Sequence, residues 1–207
     1  MIRLYIIDDH YLIIEGLYSS FDLESDDFKV TGGSLNLEEA LQKISPENVD
    51  IIILDLFINN SDPVSNLRQI RKVFPTIPVV ILSQETCMTW QVKMFRNGVK
   101  AYLFKTDKNP VIRERLLQVF AGETVMNDEV AQILISSRDS RDDFGFIPDY
   151  MDIVCELAHG MSIKEIALKM NQSDSSIEKR LNAIRKSFHA KTNGELVYKA
   201  LFRRIPH

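Results

Sequence analysis

What this sequence is short of narrows the field first. No run of apolar residues approaches the roughly 18 needed to cross a bilayer, so no membrane span is expected. The amino terminus runs from Met1 through Ile7 straight into Asp8 and Asp9. It carries no apolar stretch followed by a small-residue cleavage site, so no secretion signal is expected. Only two cysteines, Cys87 and Cys155, occur in 207 residues. Their spacing makes neither a disulfide framework nor a metal site, and two buried reduced thiols are expected. The location implied is the cytoplasm. No internal repeat is visible, and no glycine-rich fingerprint for phosphate is present.

What remains is ordinary globular material. Hydrophobic residues make up 45% and charged residues 26%, enough for one large domain or two smaller ones. Charge is unevenly spread. Residues 146–207 hold ten Lys or Arg and seven Asp or Glu, against fifteen and twenty-two before them. An acidic first part and a mildly basic last part suggest two units with different partners.

The organising stretch is Asp50-Ile51-Ile52-Ile53-Leu54-Asp55-Leu56. Four consecutive aliphatics without polar alternation read as a strand buried on both faces, as in a parallel sheet. Around it, apolar runs at Ile2–Ile7, 28–30, 79–82 and Ala101–Phe104 alternate with helical periodicities. Those helices are carried by Leu12, Ile13, Leu17 and Phe21, then Leu37, Ala40, Leu41 and Ile44. Val64, Leu67, Ile70, Val73 and Phe74 form the next face, followed by one around Val92 and Phe95 and one over 111–120. The second strand is expected to close at Gly32-Gly33. Five strands alternating with five helices predict an α/β fold, a flavodoxin-like five-stranded parallel sheet. Val130, Ile133, Leu134 and Ile135 suggest a short helix beyond it, and the polar stretch 136–145 reads as a linker.

From Pro148 on there are no strand signals. Ser162-x-x-Glu165, Ser175-x-x-Glu178 and Thr192-x-x-Glu195 each fit a capping box. The tail is read as a small all-α domain of four helices. The expected division is therefore 1–122, a linker with a short helix over 123–145, and 146–207.

In an open parallel sheet, ligands gather beyond the carboxyl ends of the strands. There the first strand delivers Asp8 and Asp9, the third Asp55, the fourth Ser83 and the fifth Lys105. Each has a mundane reading as a cap, a turn serine or a surface lysine, but five coincidences at five strand ends are improbable. Three carboxylates together call for a hard divalent cation, and Mg²⁺ takes a few carboxylates, water and phosphate oxygens. Lys105 offers a compact positive charge and Ser83 a hydroxyl. The set suits phosphoryl transfer to a carboxylate, with Asp55 as nucleophile.

Across residues 1–122 the chain resembles a response-regulator receiver domain. The stretches that carry the resemblance are Ile7-Asp8-Asp9-His10, Ile53-Leu54-Asp55-Leu56, Ile81-Leu82-Ser83 and Tyr102-Leu103-Phe104-Lys105. The resemblance implies that Asp55 is phosphorylated by a sensor histidine kinase. It implies that Asp8, Asp9, Asp55 and the backbone carbonyl of Phe57 hold Mg²⁺, that Lys105 and Ser83 contact the phosphoryl oxygens, and that Tyr102 is the aromatic switch. The run Ile58-Asn59-Asn60-Ser61-Asp62-Pro63 departs from the family's Met-Pro-Gly, and Phe57 and Glu85 are atypical neighbours for the acceptor. An enzyme with an aspartyl-phosphate intermediate is disfavoured, because Phe57 stands where such enzymes carry a second aspartate.

Residues 146–207 resemble the LuxR-type helix-turn-helix of the NarL/FixJ regulators, through the run from Leu157 to Ala167, Ser176-Ile177, Ile184-Arg185-Lys186 and Glu195-Leu196-Val197. Helix 173–188 is then the recognition helix. Arg180 and Asn182 are expected to read bases, while Lys164, Lys179, Arg185 and Lys186 meet phosphates. Glu178 sits where relatives often carry lysine, and is read as completing a capping box with Ser175. Promoter DNA and a homodimer in the active state are the implied partners, with Leu196, Val197, Ala200 and Leu201 serving core and dimer contact. An alternative keeps the receiver and makes the tail a protein-binding module.

Overall fold

The structure is a computed structural model and describes residues 1–21, 27–59, 61–139 and 147–202. The first strands and helices are β1 (Ile2–Ile7), α1 (Tyr11–Phe21), β2 (Phe28–Ser34), α2 (Leu37–Lys43), β3 (Ile51–Leu54) and α3 (Pro63–Val73). They continue with β4 (Val79–Ser83), α4 (Met88–Arg96), β5 (Ala101–Phe104), α5 (Asn109–Phe120) and α6 (Asp128–Asp139). Four helices follow, α7 (Ile147–Ala158), α8 (Ile163–Lys169), α9 (Asp174–Ser187) and α10 (Asn193–Phe202). Contacts divide the chain into two units, Met1–Thr86 with Gln91–Leu134, and Cys87–Trp90 with the residues from Ile135 on.

The five strands form one parallel sheet in the order β2-β1-β3-β4-β5. All four residues of β3 are buried, as two flanking strands and covered faces require. Asp50 opens that strand in a clamp: it accepts from the Arg3 backbone N–H at 2.8 Å and from Arg3 Nε and Nη2 at 2.9 and 2.7 Å. The adjacent guanidinium holds the Asp50 carboxyl below its ordinary value. The two ends of one strand thus carry aspartates in opposite electrostatic surroundings.

Two local expectations are corrected. β2 does not close at the glycines but runs through them, pairing Gly32 with Tyr5 and Gly33 with Ile6. A Cβ on Gly32 would enter the Tyr5 ring, and one on Gly33 would meet Ile14. The glycines are there for close packing rather than to end the strand. In α1 the buried stripe is Ile14, Leu17 and Phe21, while Leu12 is 81% exposed. Either stripe fits helical spacing, and packing against the sheet selects one. The unusual run after β3 also acquires a purpose, since the Asp62 side chain accepts from the Ser65 backbone N–H at 2.7 Å and Pro63 fills the first turn of α3. Asp62→Ala is expected to lower stability by about 1 kcal/mol in urea unfolding, with no change in the slope of the transition.

α6 extends to Asp139, so 136–139 are helical where a linker was expected; 140–146 lie outside the described residues. In the second unit Ile153, Val154, Ile166, Ala167, Ile177, Leu181, Ile184 and Leu196 form the core. Ser162 and Glu165 complete the expected capping box. Thr192 also caps, accepting from the Glu195 N–H at 3.1 Å, but Glu195 reaches back to the Lys191 N–H instead. Of the last-helix residues named for core and dimer contact, Leu196 is buried and Val197 packs on the core. The side chains of Ala200 and Leu201 lie outside the described residues.

The cysteines also differ from expectation. Cys87 and Cys155, 68 positions apart, form a disulfide with Cα atoms 6.5 Å apart, within bonding reach. Sequence separation carries no information about this proximity. No helix among the described residues is long and apolar enough to cross a membrane.

Candidate functional site

The strand register explains why the site residues meet. β1 pairs Ile7 with Leu54 of β3, so Asp8 and Asp55 leave their strands side by side. Leu54 pairs with Ile81 of β4, which puts Ser83 one step further out than Asp55 on the neighbouring strand. Ser83 pairs with Phe104, so Lys105 follows directly. Three backbone bonds carry this alignment beyond the strands: Asp55 N–H to the Ile7 carbonyl at 2.8 Å, Asp8 N–H to Ser34 at 3.1 Å, and Lys105 N–H to Ser83 at 2.9 Å.

Lys105 is the hub. Its Nζ lies 2.7 Å from Asp8 Oδ2 and 3.2 Å from Asp55 Oδ1, and all three side chains are less than a tenth exposed. One cation between two enclosed carboxylates leaves surplus negative charge. Burial pushes the Asp55 carboxyl up to about 6; Lys105 pulls it down, and Asp8 adds to the rise. Asp55 is therefore held as an anion near neutrality, though only just.

Asp9 occupies the open side of the rim. Its Oδ2 accepts from the backbone N–H of Asn59 at 2.9 Å. Asn59 reaches that position with φ of +49°, a left-handed conformation that asparagine tolerates better than most residues. The loop's departure from the family pattern thus still delivers an amide to the acidic rim. The other oxygen, Asp9 Oδ1, is enclosed without a well-formed hydrogen bond, although His10 Nδ1 lies 2.9 Å away. The distance permits an ionic contact, while the alignment falls short of a hydrogen bond. An orphaned carboxylate oxygen beside Asp8 and Asp55 fits a divalent cation, and Asp8, Asp9, His10 and Asp55 each offer a ligand atom, all within 4.8 Å of one another.

Ser83 and Tyr102 form a second layer. Ser83 Oγ accepts from the Glu85 N–H at 3.1 Å, and the Tyr102 hydroxyl donates to the Glu85 carbonyl at 2.9 Å. Tyr102 is buried, and burial pushes its hydroxyl well above the ordinary value. Phe57 lies half-buried in the turn directly beyond Asp55.

Residues 4–117 match the model of the response regulator receiver domain. The chain belongs to the response regulators. Among this regulator's relatives is the uncharacterized transcriptional regulatory protein YhcZ of Bacillus subtilis, 24% identical over 85% of this chain and 84% of that one. The response regulator protein VraR of Staphylococcus saprophyticus is 26% identical over 80% of each chain. The oxygen regulatory protein NreC of Staphylococcus carnosus is 24% identical and covers 98% of each. RcsB of Salmonella enterica serovar Typhimurium, solved bound to promoter rprA with a phosphomimetic, superposes with a TM-score of 0.64 at 18% identity, over 98% of this chain and 99% of that one. At that identity the likeness is one of fold: a parallel-sheet receiver followed by a helical domain, as in the NarL/FixJ regulators.

In the regulator's second unit the expected DNA-facing residues do not all share a face. Lys164 is exposed on α8, and Lys179, Asn182 and Lys186 are exposed on α9. Arg180 sits two residues from Asn182, about 160° around the helix, so the two point to different faces of α9. Arg185 is half-buried, bonding Asn193 Oδ1 at 3.2 Å and Asn182 Oδ1 at 2.5 Å. The helix cap is Ser173, accepting from the Ser176 N–H at 3.3 Å, not Ser175. That removes Glu178 from a capping box and leaves it exposed on the face of Asn182. Two residues were underweighted from sequence. His10 stood in the Asp8-Asp9-His10 run itself. Asn59 had a weaker signal, its tolerance of positive φ.

Proposed function

We propose that this response regulator accepts a phosphoryl group on Asp55 from a sensor histidine kinase and regulates transcription through its carboxyl-terminal helical domain. The observation that carries the reading is the bridge of Lys105 between Asp8 and Asp55 at the strand ends. A carboxylate oxygen of Asp55 attacks phosphorus, the bond to the kinase imidazole breaks, and an acyl phosphate forms on the chain. Asp8, Asp9, Asp55 and the Phe57 carbonyl would hold Mg²⁺, which would supply charge neutralisation for the phosphoryl oxygens. Lys105 stays beside the acceptor and meets one of those oxygens as Asp55 loses its own negative charge. Ser83 exchanges the Glu85 amide for a phosphoryl oxygen, and Tyr102, tied to the Glu85 carbonyl, reports that movement to the β4–β5 side. The chain is a signalling protein of the cytoplasm rather than an enzyme with a turnover substrate. Its domains are the receiver over 1–122, a connecting segment, and the DNA-binding unit over 146–207, which acts as a homodimer on promoter DNA.

The second unit's face on α9 mixes Lys179, Asn182 and Lys186 with Glu178. Lys164, Lys179 and Lys186 meet phosphates, Asn182 reads a base edge, and Arg180 and Arg185 flank that face. The exposed Glu178 favours a second reading, a protein-binding tail, since a carboxylate repels DNA phosphate. Selection of DNA fragments with and without beryllium fluoride and Mg²⁺ separates the two. Sequence-specific binding whose affinity rises steeply as salt falls supports the transcription reading; a flat salt response without sequence preference supports the other. Glu178→Lys is expected to tighten non-specific DNA binding about tenfold at low salt and to steepen the logarithmic salt slope by about one.

A further inference from the structure

The acidic rim of this receiver holds a nitrogen that an all-oxygen Mg²⁺ site has no need of. His10 Nδ1 stands 3.1 Å from Asp8 Oδ1 and 2.9 Å from Asp9 Oδ1. In an octahedron with bonds of about 2.1 Å, neighbouring ligand atoms are about 3.0 Å apart. The imidazole nitrogen therefore already occupies the spacing of an adjacent ligand to both carboxylates. The ring is directed there by the backbone: the His10 N–H donates to Asp8 Oδ1 at 2.9 Å, which pins the turn and turns the side chain back over the rim. Asp9 Oδ1, the oxygen nearest the ring, is the one lacking a well-formed hydrogen bond. Without a cation Nδ1 donates to Asp8 Oδ1, which can only accept; with 67% of the side chain open to solvent, Nε2 can take the proton when a cation replaces that hydrogen bond, which frees the Nδ1 lone pair for the metal.

We propose that His10 is an additional metal ligand, which makes this receiver's site selective for nitrogen-accepting divalent transition ions over Mg²⁺. The inference rests on the reading of Asp8, Asp9 and Asp55 as the cation site. Hard Mg²⁺ gains little from an imidazole and keeps water in that position. Mn²⁺, Co²⁺ and Ni²⁺ gain progressively more from the same nitrogen. Any carboxylate site prefers Ni²⁺ to Mg²⁺ to some degree, so the contribution of His10 is read in how far that preference falls when the ring is removed.

The test uses the full chain, one equivalent of Mn²⁺ followed by electron paramagnetic resonance, and displacement by Mg²⁺ or Ni²⁺. In the unsubstituted protein Ni²⁺ is expected to displace Mn²⁺ at concentrations at least ~100-fold below those of Mg²⁺. His10→Ala is expected to shrink that ratio about tenfold or more while Mg²⁺ affinity changes less than about threefold. His10→Gln, which keeps a polar side chain without a metal-binding nitrogen, is expected to behave as the alanine variant does. An unchanged ratio in both variants overturns the inference and leaves the cation site standing. A parallel loss of Mg²⁺ and Ni²⁺ affinity also overturns it, because His10 would then only be shaping the loop. Failure of the unsubstituted protein to hold Mn²⁺ removes the cation site and the inference together.

Discussion

Asp55→Asn is expected to abolish covalent uptake of phosphate from a small phosphodonor and the binding of beryllium fluoride with Mg²⁺. The amide has nearly the shape of the carboxylate but no charged oxygen to attack phosphorus, so the expected loss is complete rather than graded. The same change has a second signature in stability. The Asp55 carboxyl is raised from 3.8 to about 6 by burial, so between those values the folded chain binds a proton that the unfolded chain has released. The stability that protonation confers is present below about pH 4 and is lost as pH rises through about 6. A rise of that size corresponds to at most about 3 kcal/mol, and solvent at the rim should reduce it to about 1–2 kcal/mol. Asp55→Asn should flatten this fall, measured by denaturant unfolding in metal-free buffer between pH 4 and 7. The variant should then be more stable than the parent at pH 7 by about 1–2 kcal/mol. Retained phosphate labelling would remove Asp55 as the acceptor, and an unchanged pH slope would show that its charge is not costly to hold.

Lys105→Ala has the opposite effect on stability. It leaves Asp8 and Asp55 enclosed without the ammonium that lies 2.7 and 3.2 Å from them. Breaking a buried pair by removing one partner typically costs about 3–5 kcal/mol. Here Asp55 can take up a proton, so about 2–4 kcal/mol is expected above pH 7, shrinking as pH falls towards 5. Phosphate uptake should drop about 10²–10³-fold, the usual effect of deleting a preorganised charge at a reacting oxygen. Lys105→Met keeps the aliphatic stem and separates packing from charge. If methionine restores phosphate uptake, the lysine serves the fold and not the chemistry. Added Mg²⁺ should recover part of the stability of both variants, because the cation neutralises the same carboxylates.

The sheet and its rim were legible because buried parallel strands leave an unusually plain signature. Four aliphatics ending in Asp55 admit little besides a central strand, and strand ends in such a sheet share one edge. Asp8, Asp9, Ser83 and Lys105 could therefore be assigned to one place before any contact was known, and the register of β1, β3, β4 and β5 puts Asp8, Asp55, Ser83 and Lys105 at that edge. Helix faces were less legible. Leu12 and Ile14 fit the same periodicity, and only the sheet beneath α1 chooses between them. Caps are local as well, yet Ser173 and Ser175 offer the same hydroxyl two residues apart. Backbone dihedrals at the start of α9 select Ser173, and with that choice Glu178 loses the explanation its spacing suggested.

The sequence alone thus determined the layering of the receiver, the position of the central strand that ends in Asp55 and the identity of the acidic rim. These follow from hydrophobic period and from residue type at strand ends, both of which are written along the chain. Tertiary structure decided what depends on distances between segments remote in sequence. It paired Gly32 with Tyr5, brought the Asn59 amide to Asp9 and formed the disulfide of Cys87 and Cys155. It set Lys105 between Asp8 and Asp55, and it turned His10 over the rim so that a nitrogen faces the carboxylates. Which partners stand within 3 Å is a property of packed segments, and a linear pattern encodes which residues are buried more directly than which of them touch.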